Sequence, residues 1–464
     1  MADPTGRFLI AFDDRTLEPS PTWTRIDSYP NLVTSYTIDR GRQYELDRTD
    51  TGRATVSIAD PDGILDPTNP FGPFWDDDAH DTKIRPLLQA TLGRYNPVTD
   101  SWYTRYRGFI EEMDYDFDPS QAVNRLTVTL VDIFEILSAV EMNPGIPGDL
   151  GVFGDTPPDG SEGQVFFDNA TVGDPTSGRV VAILKTALGD PAWAAFSVVF
   201  TGNVQLFEQP YPPGTSAMDA IQEAADAEFP GVSNVYTDRL GRLVFHGRLA
   251  KFDPATIAAG AGDDAWDWHH WQVGDGAAVN AAPTVTAHLR QFAFNRGLSK
   301  IINSAIATPK DIDDADVPGQ AVIDADSIDL YGIRSWSAQN LLTKHGELPA
   351  GGGTPRLEET KRFAQYYVDN YKTPKNRVTL CGFRTMHPDQ TGAHETWRLL
   401  SLIDISDQVD ISVGSPGGGG FLLEPYFVEG IHESVQPLGA AYDDVTLTLD
   451  LSPKAYYTSN PFPT

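Results

Sequence analysis

Hydrophobic and polar residues alternate strictly near both ends of the chain. Ala54, Val56 and Ile58 alternate with polar residues, and the same pattern runs through "LTVTL" (126–130) and "VTLTLDL" (445–451). A period of two predicts half-buried β-strands. Turn clusters such as "DPDG" (60–63) and "NPVTDS" (96–101) separate these strands, because Pro, Asp and Gly accept turn angles. Both ends are therefore predicted to be antiparallel β-sheet.

The centre of the chain changes to helical spacing. "SGRVVAILKTALGD" (177–190) and "GTSAMDAIQEAADAEF" (214–229) each place apolar residues on one helical face, and Thr215 or Ser216 is the expected N-cap of the second. "SNVYTDRLGRLVFHGR" (233–248) follows with a hairpin signal. A further helix is expected in "PRLEETKRFAQYYVDNYK" (355–372), before the strand "NRVTLCGF" (376–383).

Two segments share an order of features. Residues 87–116 and 407–437 each contain a strand ending in Gly (Gly93, Gly414), a turn-rich tip, an aromatic strand and a second Gly (Gly108, Gly430). An acidic turn region and one of the two alternating strands named above then follow. This repeat predicts two similar β-barrels, with two unrelated meanders as the alternative.

The fold class is therefore expected to be β-rich α+β, with two similar antiparallel β-barrel domains flanking a central α+β domain. Linker-like segments at 142–163 and 251–284 are rich in Gly, Pro and Asp and set the boundaries. We expect an N-terminal barrel at 1–141, a central domain at 142–284, and a second barrel at 285–464 with a helical insertion around 318–373.

Composition restricts the function. The chain has 464 residues and a formal net charge of −31, which disfavours binding to duplex DNA or anionic lipid. Cys381 is the only cysteine, so an internal disulfide and a multi-cysteine zinc site are excluded. The N-terminus has no secretion-signal pattern, and no apolar run is long enough to predict a membrane span.

Two kinds of segment could hold a metal ion. Asp60, Asp62 and Asp66 in "DPDGILD" superficially match a calcium loop, but Pro61 and the missing terminal Glu break the EF-hand pattern. Carboxylates also flank His80 in "WDDDAHD" and the adjacent pair His269 and His270 in "DDAWDWHHW". Because these histidines lack metal-ligand spacing, packing of a tryptophan-rich loop is the favoured interpretation.

No catalytic or cofactor-binding residue is assigned. The carboxylate pairs Glu111–Glu112 and Glu358–Glu359 are common features of so acidic a chain. Cys381 lies in a predicted strand without a recognisable His partner, and no nucleotide-binding glycine motif or serine-nucleophile motif occurs. The sequence therefore predicts no enzyme, no cofactor and no metal.

Segments along nearly the whole chain resemble one protein family. "WTRIDSYPNLVTSYTIDRGRQYELDRTDTGRATVSIADPDGILDPTNP" (23–70), with Arg40, Gly41 and Arg42, is similar to the opening of minor tail proteins of long, non-contractile-tailed phages, especially those of actinobacteria. Further similar segments follow in the family's order: "YRGFIEEMDYDF", "LTVTLVDIFEILS", "GTSAMDAIQEAADAEFPGVSNVYTDRLGRLVFHGR", "YGIRSWSAQNLLT", "YYVDNYKTPKNRVTL", "YFVEGIHESVQP" and the closing "LTLDLSP". The order, rather than any single segment, carries the resemblance.

The resemblance implies a tail-tip or baseplate hub, similar to the hubs of contractile phages and to the N-terminal part of tail-associated lysins. Such a hub is a homotrimer located in the virion at the tail tip, after assembly in the host cytoplasm. The implied partners are the distal tail protein ring, the tail tube, other tail-tip or fibre proteins and, as a further candidate, the tape measure protein. DNA would pass through transiently without specific binding, and no stable membrane insertion is expected.

Two alternatives from other functional classes stay open. A tail-borne peptidoglycan or other glycan hydrolase would need a cluster of carboxylates in a cleft of the central domain. A receptor- or carbohydrate-binding tail protein would use exposed aromatic side chains such as Trp266 and Trp268, since aromatic faces stack on sugars.

Overall fold

The computed structural model describes most of the chain. The described residues are 6–26, 32–118, 123–142, 165–167, 176–189, 191–204, 206, 209–211, 214–252, 269–274, 287–309, 321–342, 355–414, 421–437, 442–458 and 461. Within them the protein is β-rich α+β, as the alternation predicts. None of the described helices is both long and apolar enough to span a membrane.

The N-terminal part is mostly antiparallel sheet. Its elements are β1 (Gly6–Ile10), β2 (Thr24–Arg25), β3 (Leu32–Gly41), β4 (Asp50–Ala59), β5 (Trp75–Asp76), β6 (Asp81–Thr82), β7 (Gln89–Asn96), β8 (Ser101–Asp118), β9 (Val123–Val131) and helix α1 (Ile133–Ala139). The strands form where the apolar and polar residues alternate, and the inward residues of β4 are buried.

The central part is the predicted α+β unit. Its elements are β10 (Val165–Phe167), α2 (Thr176–Leu188), α3 (Ala192–Ala195), β11 (Ser197–Val199), β12 (Gln209–Tyr211), α4 (Ala217–Glu228), β13 (Asn234–Thr237) and β14 (Leu243–His246). Ser216 is the N-cap of α4, and its Oγ accepts a hydrogen bond from the Asp219 N–H at 3.0 Å. The predicted hairpin is confirmed, since β13 and β14 pair antiparallel.

The C-terminal part returns to sheet with inserted helices. Its elements are β15 (His270–Gly274), β16 (Ala287–His288), β17 (Gln291–Asn295), β18 (Ser304–Pro309), β19 (Val322–Ile323), α5 (Ala325–Tyr331), β20 (Ser335–Leu341), α6 (Pro355–Tyr371), β21 (Arg377–Arg384), α7 (Ala393–Leu402), β22 (Gln408–Gly414), β23 (Phe421–Pro437), β24 (Asp443–Pro453) and a 3₁₀ turn (Lys454–Tyr457). The long α6 packs against β18 and β20 through a cluster of tyrosine and phenylalanine rings.

The large sheet contains the same five-stranded arrangement twice. In the first, the spatial order is β3-β4-β9-β8-β7, and in the second it is β17-β21-β24-β23-β22, with every neighbouring pair antiparallel. Numbered along the chain, both orders read first, second, fifth, fourth, third. We call these the first and second sheet units. The sequence repeat therefore corresponds to a repeated topology.

The expected arrangement of two barrels is not confirmed. Among the described strands no closed barrel is found, and the two sheet units join through β3 and β23 into one large sheet, in which β24, β21 and β17 branch from β23. One hydrophobic core runs beneath both units and includes Ile38, Val56 and Leu130 of the first and Val435 and Leu447 of the second. The two units therefore share one core as well as one sheet.

Candidate functional site: the seam between the two sheet units

The two sheet units meet where β3 pairs antiparallel with β23. The register runs from Gly41 opposite Gly430 to Tyr36 opposite Val435. We call this junction the seam. Since β3 is the first strand of one unit and β23 the fourth strand of the other, the seam joins unlike edges, in a head-to-tail manner.

Gly41 permits the close approach at the end of the seam. Its φ is +95°, and a Cβ atom at this position would lie 2.2 Å from the carbonyl oxygen of Glu429. The next residue, Arg42, donates its backbone N–H to that same oxygen at 2.9 Å. Only glycine satisfies both the left-handed backbone and the contact, which accounts for the glycine between two arginines.

The arginines on either side of Gly41 are buried and bind carboxylates from the C-terminal part. Arg40 Nη1 donates to Asp404 Oδ1 at 2.9 Å and to the carbonyl of Thr237 at 3.1 Å. Arg42 Nε donates to Glu429 Oε2 at 2.9 Å. The arginines of the motif therefore tie strand β3 to both the central part and the second sheet unit.

A second buried ion cluster lies further along β23. The Glu433 carboxylate accepts from both Arg94 and Arg105, and all three side chains are fully buried. Arg105 also donates to the carbonyls of Ser401 and Ile403, at 3.0 and 3.1 Å. These carbonyls lie at the C-terminal end of α7, where the helix dipole favours a cation. The cluster thus joins the first sheet unit, β23 and α7.

The neighbouring cations outweigh burial in setting the acidity of the two seam glutamates. Burial alone would raise the pKa of Glu429, but Arg42 and Lys251 lower it to about 2. Burial opposes Arg105 and Arg94 in the same way at Glu433, whose pKa is also lowered to about 2. Both carboxylates are therefore ionised at neutral pH and act as fixed anions within the protein.

His432 bridges three strands on the solvent side of the seam. Its Nδ1 lies 2.8 Å from Asp39 of β3, and its Nε2 lies 2.8 Å from Asp450 of β24. Hydrogen bonds to these two carboxylates raise the pKa of His432 to about 10. The imidazolium ion therefore links β3, β23 and β24 at neutral pH.

The aspartates of the predicted calcium loop order a turn. Asp60 accepts from the N–H groups of Ile64 and Leu65, at 2.9 and 2.8 Å, and from the Tyr115 hydroxyl at 3.1 Å. Asp66 accepts from the backbone and hydroxyl of Thr68, and Asp62 is exposed. These contacts fit the interpretation of "DPDG" as a turn.

The histidines considered as metal ligands do not form a common site in the structure. His80 is exposed, His269 stacks on Trp271, and His270 lies 2.7 Å from Asp410. In the described part of the chain, no group of three or more His, Cys, Asp or Glu side chains could hold a metal ion. Trp266 and Trp268 lie outside the described residues, as does most of both predicted linkers.

The residues considered for catalysis have structural contacts. Glu111 forms a bidentate pair with Arg53, and Glu359 binds Arg248. Glu112 and Glu358 are exposed, and burial raises the pKa of the Cys381 thiol far above its ordinary value. The structure does not bring these carboxylates together.

Sequence reasoning missed the cluster around Glu433. Both arginines are buried in strands: Arg94 continues the inward series of Ala90 and Leu92 in β7, and Arg105 lies at a register shift of β8 beside Tyr106. An arginine on the buried face of a strand is itself a signal that a carboxylate lies nearby. Its partner lies more than 300 residues away in the sequence, so the spacing could not identify it.

Comparisons with known proteins give matches among solved structures only. No protein-family model matches the chain, and no curated protein matches it. Among solved structures, the 43 kDa tail protein of prophage MuSo2 from Shewanella oneidensis is 11% identical, with a TM-score of 0.49; the match covers 97% of this chain and 99% of that one. A tail protein from Neisseria meningitidis MC58 is 10% identical, with a TM-score of 0.49 and 98% coverage of both chains.

These two solved structures are tail proteins. A third similar structure, 8% identical with a TM-score of 0.40, is the E. coli c3393 protein, described as a type VI secretion component similar to the T4 phage tail proteins gp27 and gp5. The match covers 90% of this chain and 73% of that one.

Proposed function

We propose that this protein is a structural virion protein, the trimeric hub at the tail tip or baseplate of a phage. The observation that carries the proposal is the repeated five-stranded topology, with the two sheet units joined head to tail at the seam. The hub continues the tail tube, adapts six-fold to three-fold symmetry and gates genome ejection.

The repeat supports this role through symmetry. One chain supplies two units of the same strand order, so three chains around an axis supply six. Such a ring matches a six-fold tube on one side and a three-fold tip on the other. In this proposal the two sheet units act as the two tube domains, barrel-like walls arise from assembly, and the domain boundaries are those set by the linker-like segments.

The buried ion pairs support a structural role over catalysis. Glu429 and Glu433 are held as anions by arginine and lysine side chains at the junction of the two units. Acid–base catalysis requires a group whose pKa lies near the working pH and which reaches the substrate. Permanently charged, fully buried pairs are instead suited to fixing how the two units are oriented.

Electron-microscope class averages of the purified protein test the proposal. The protein should be imaged alone and mixed with its tail tube or distal tail ring. We expect a three-fold ring with six similar lobes around a central hole. A compact monomer that stays monomeric with the tail components would contradict the hub.

A further inference from the structure

We propose that β17 of one copy pairs antiparallel with the second half of β8 (residues 111–118) in the next copy. The partner is thus a second copy of this chain, bound through a named pair of strand edges in a defined register. This inference rests on the proposed trimer and adds where and how its subunits join.

The two free strand edges correspond, in the other sheet unit, to the two strand edges that pair with each other at the seam. At the seam, the first strand of one unit (β3) pairs with the fourth strand of the other (β23). The strands equivalent to β3 and β23 in the other unit are β17, the first strand of the second unit, and β8, the fourth strand of the first unit. Within the described residues, β17 pairs only with β21, and residues 112–118 of β8 pair only with β9. Each therefore has one edge available to another strand.

The repeat also predicts the register of the new pairing. The closing strands align as "LTVTL" (126–130) and "VTLTL" (445–449), which makes Thr129 equivalent to Thr448. Thr129 lies opposite Glu112, and Thr448 lies opposite His432. Glu112 therefore occupies the position that His432 has at the seam.

The same equivalence can be followed to the other edge. Thr129 lies opposite Thr55 of β4, which in turn lies opposite Thr37 of β3. In the second unit, Thr448 lies opposite Gly382 of β21, which lies opposite Gln291 of β17. Thr37 and Gln291 are therefore equivalent. Two residues further on, Asp39 is then equivalent to Ala293. Since Asp39 lies opposite His432, Ala293 of one copy should lie opposite Glu112 of the next. Phe292 then lies opposite Met113.

Apolar side chains at both edges support this contact. The proposed register brings Phe292 and Met113, which both pack at the margin of the main core, onto the same face of the sheet. Pairing would therefore extend the core from one copy to the next.

The charges of the two edges are complementary. The segment "EEMDYDFD" (111–118) contains five acidic residues and no basic one, whereas "LRQFAFNR" (289–296) contains two arginines and no acidic residue. Glu112, Asp114 and Asp116 are exposed, as are Arg290 and Arg296. In a chain with a net charge of −31, a basic edge facing an acidic one selects this pairing over a symmetric pairing of like edges.

An unpaired strand edge is a template for another strand. The sheet next to the β17 edge is also open to solvent, since a cleft of about 710 Å³ is lined by Arg290 and Gln291 near the start of β17, Arg384 of β21 and Thr446 of β24.

Cysteine cross-linking tests the register directly. The only native cysteine, Cys381, is fully buried, so it will not interfere with cysteines introduced at the surface. The test variant is Ala293→Cys with Glu112→Cys, and the matched control is Ala293→Cys with Asp116→Cys. All three positions are exposed. Directly opposite Cβ atoms lie about 5 Å apart, whereas the control pair is displaced by about 13 Å along the strand.

We expect the oxidised test variant to form covalent dimers and trimers on denaturing, non-reducing gels. The cross-linked fraction should be at least tenfold larger than that of the control variant. The native molecular mass, measured in parallel, tests the trimer separately from the strand pairing. Trimers that form without cross-linking of the test pair, or with equal cross-linking of the control, would overturn the strand pairing and leave the hub intact. A protein that stays monomeric even with tail components would overturn both.

Discussion

At the scale of single residues, the buried carboxylate of Glu433 has the largest expected effect. The change Glu433→Gln removes the negative charge that Arg94 and Arg105 share, and leaves two cations fully buried. We expect a loss of about 3–5 kcal/mol in the free energy of unfolding, measured by urea denaturation. Glu358→Gln, at an exposed site, is the control and should change little. Equal effects of the two variants would show that the cluster does not stabilise the seam.

Gly41 provides a second test at residue scale. An alanine at this position would combine a positive φ with a Cβ atom 2.2 Å from the Glu429 carbonyl oxygen. Gly189 is a matched control, because its φ is +74° and a Cβ would meet nothing within 4 Å. We expect Gly189→Ala to cost about 1–2 kcal/mol for the left-handed backbone alone, and Gly41→Ala to cost clearly more. Thermal unfolding of the two variants compares them.

At the scale of elements, His432 makes the connection of three strands depend on pH. Its pKa is raised from about 6.5 to about 10, so the link is fully present below pH 6.5 and is lost as the pH rises through 10. His432→Ala should therefore lower the unfolding free energy most below pH 6.5, and the difference should shrink toward pH 10. Because the side chain is 47% exposed, we expect less than about 1 kcal/mol.

Paired denaturation curves of the wild type and His432→Ala at several pH values measure this difference. Asp39→Asn removes one of the two carboxylates that raise the pKa, and should reduce the pH dependence without removing the histidine. A difference that stays constant from pH 6 to pH 10 would contradict the proposed ionic link.

Much of the secondary structure could be predicted from local pattern. The alternating segments became β4, β9 and β24, and the apolar stripes became α2, α4 and α6. Helix α7 was missed because its N-cap is Gly392, which offers no capping side chain, and because its buried positions include Thr396 and Ser401. Without a capping residue or a purely apolar stripe, such a helix gives little local signal.

The seam itself could not be predicted from local pattern. The pairing of β3 with β23 joins residues nearly 400 positions apart, and nothing in either strand specifies the other. The sequence also does not identify the carboxylates that the two arginines of "RGR" (40–42) bind, which the structure shows to be Asp404 and Glu429. The sequence also did not indicate that these contacts join two sheet units of the same strand order within one chain.

At the scale of the whole molecule, the net charge of −31 bears on what the proposed hub does with DNA. A tube wall that attracted phosphate would hold the passing genome, whereas a strongly acidic protein repels it. We expect no measurable binding of a fluorescently labelled duplex in anisotropy titrations at about 50 mM salt, where non-specific electrostatic binding is strong. A basic DNA-binding protein serves as the positive control. Binding that weakens with added salt would indicate a basic surface in contact with DNA, and would contradict passive passage through the ring.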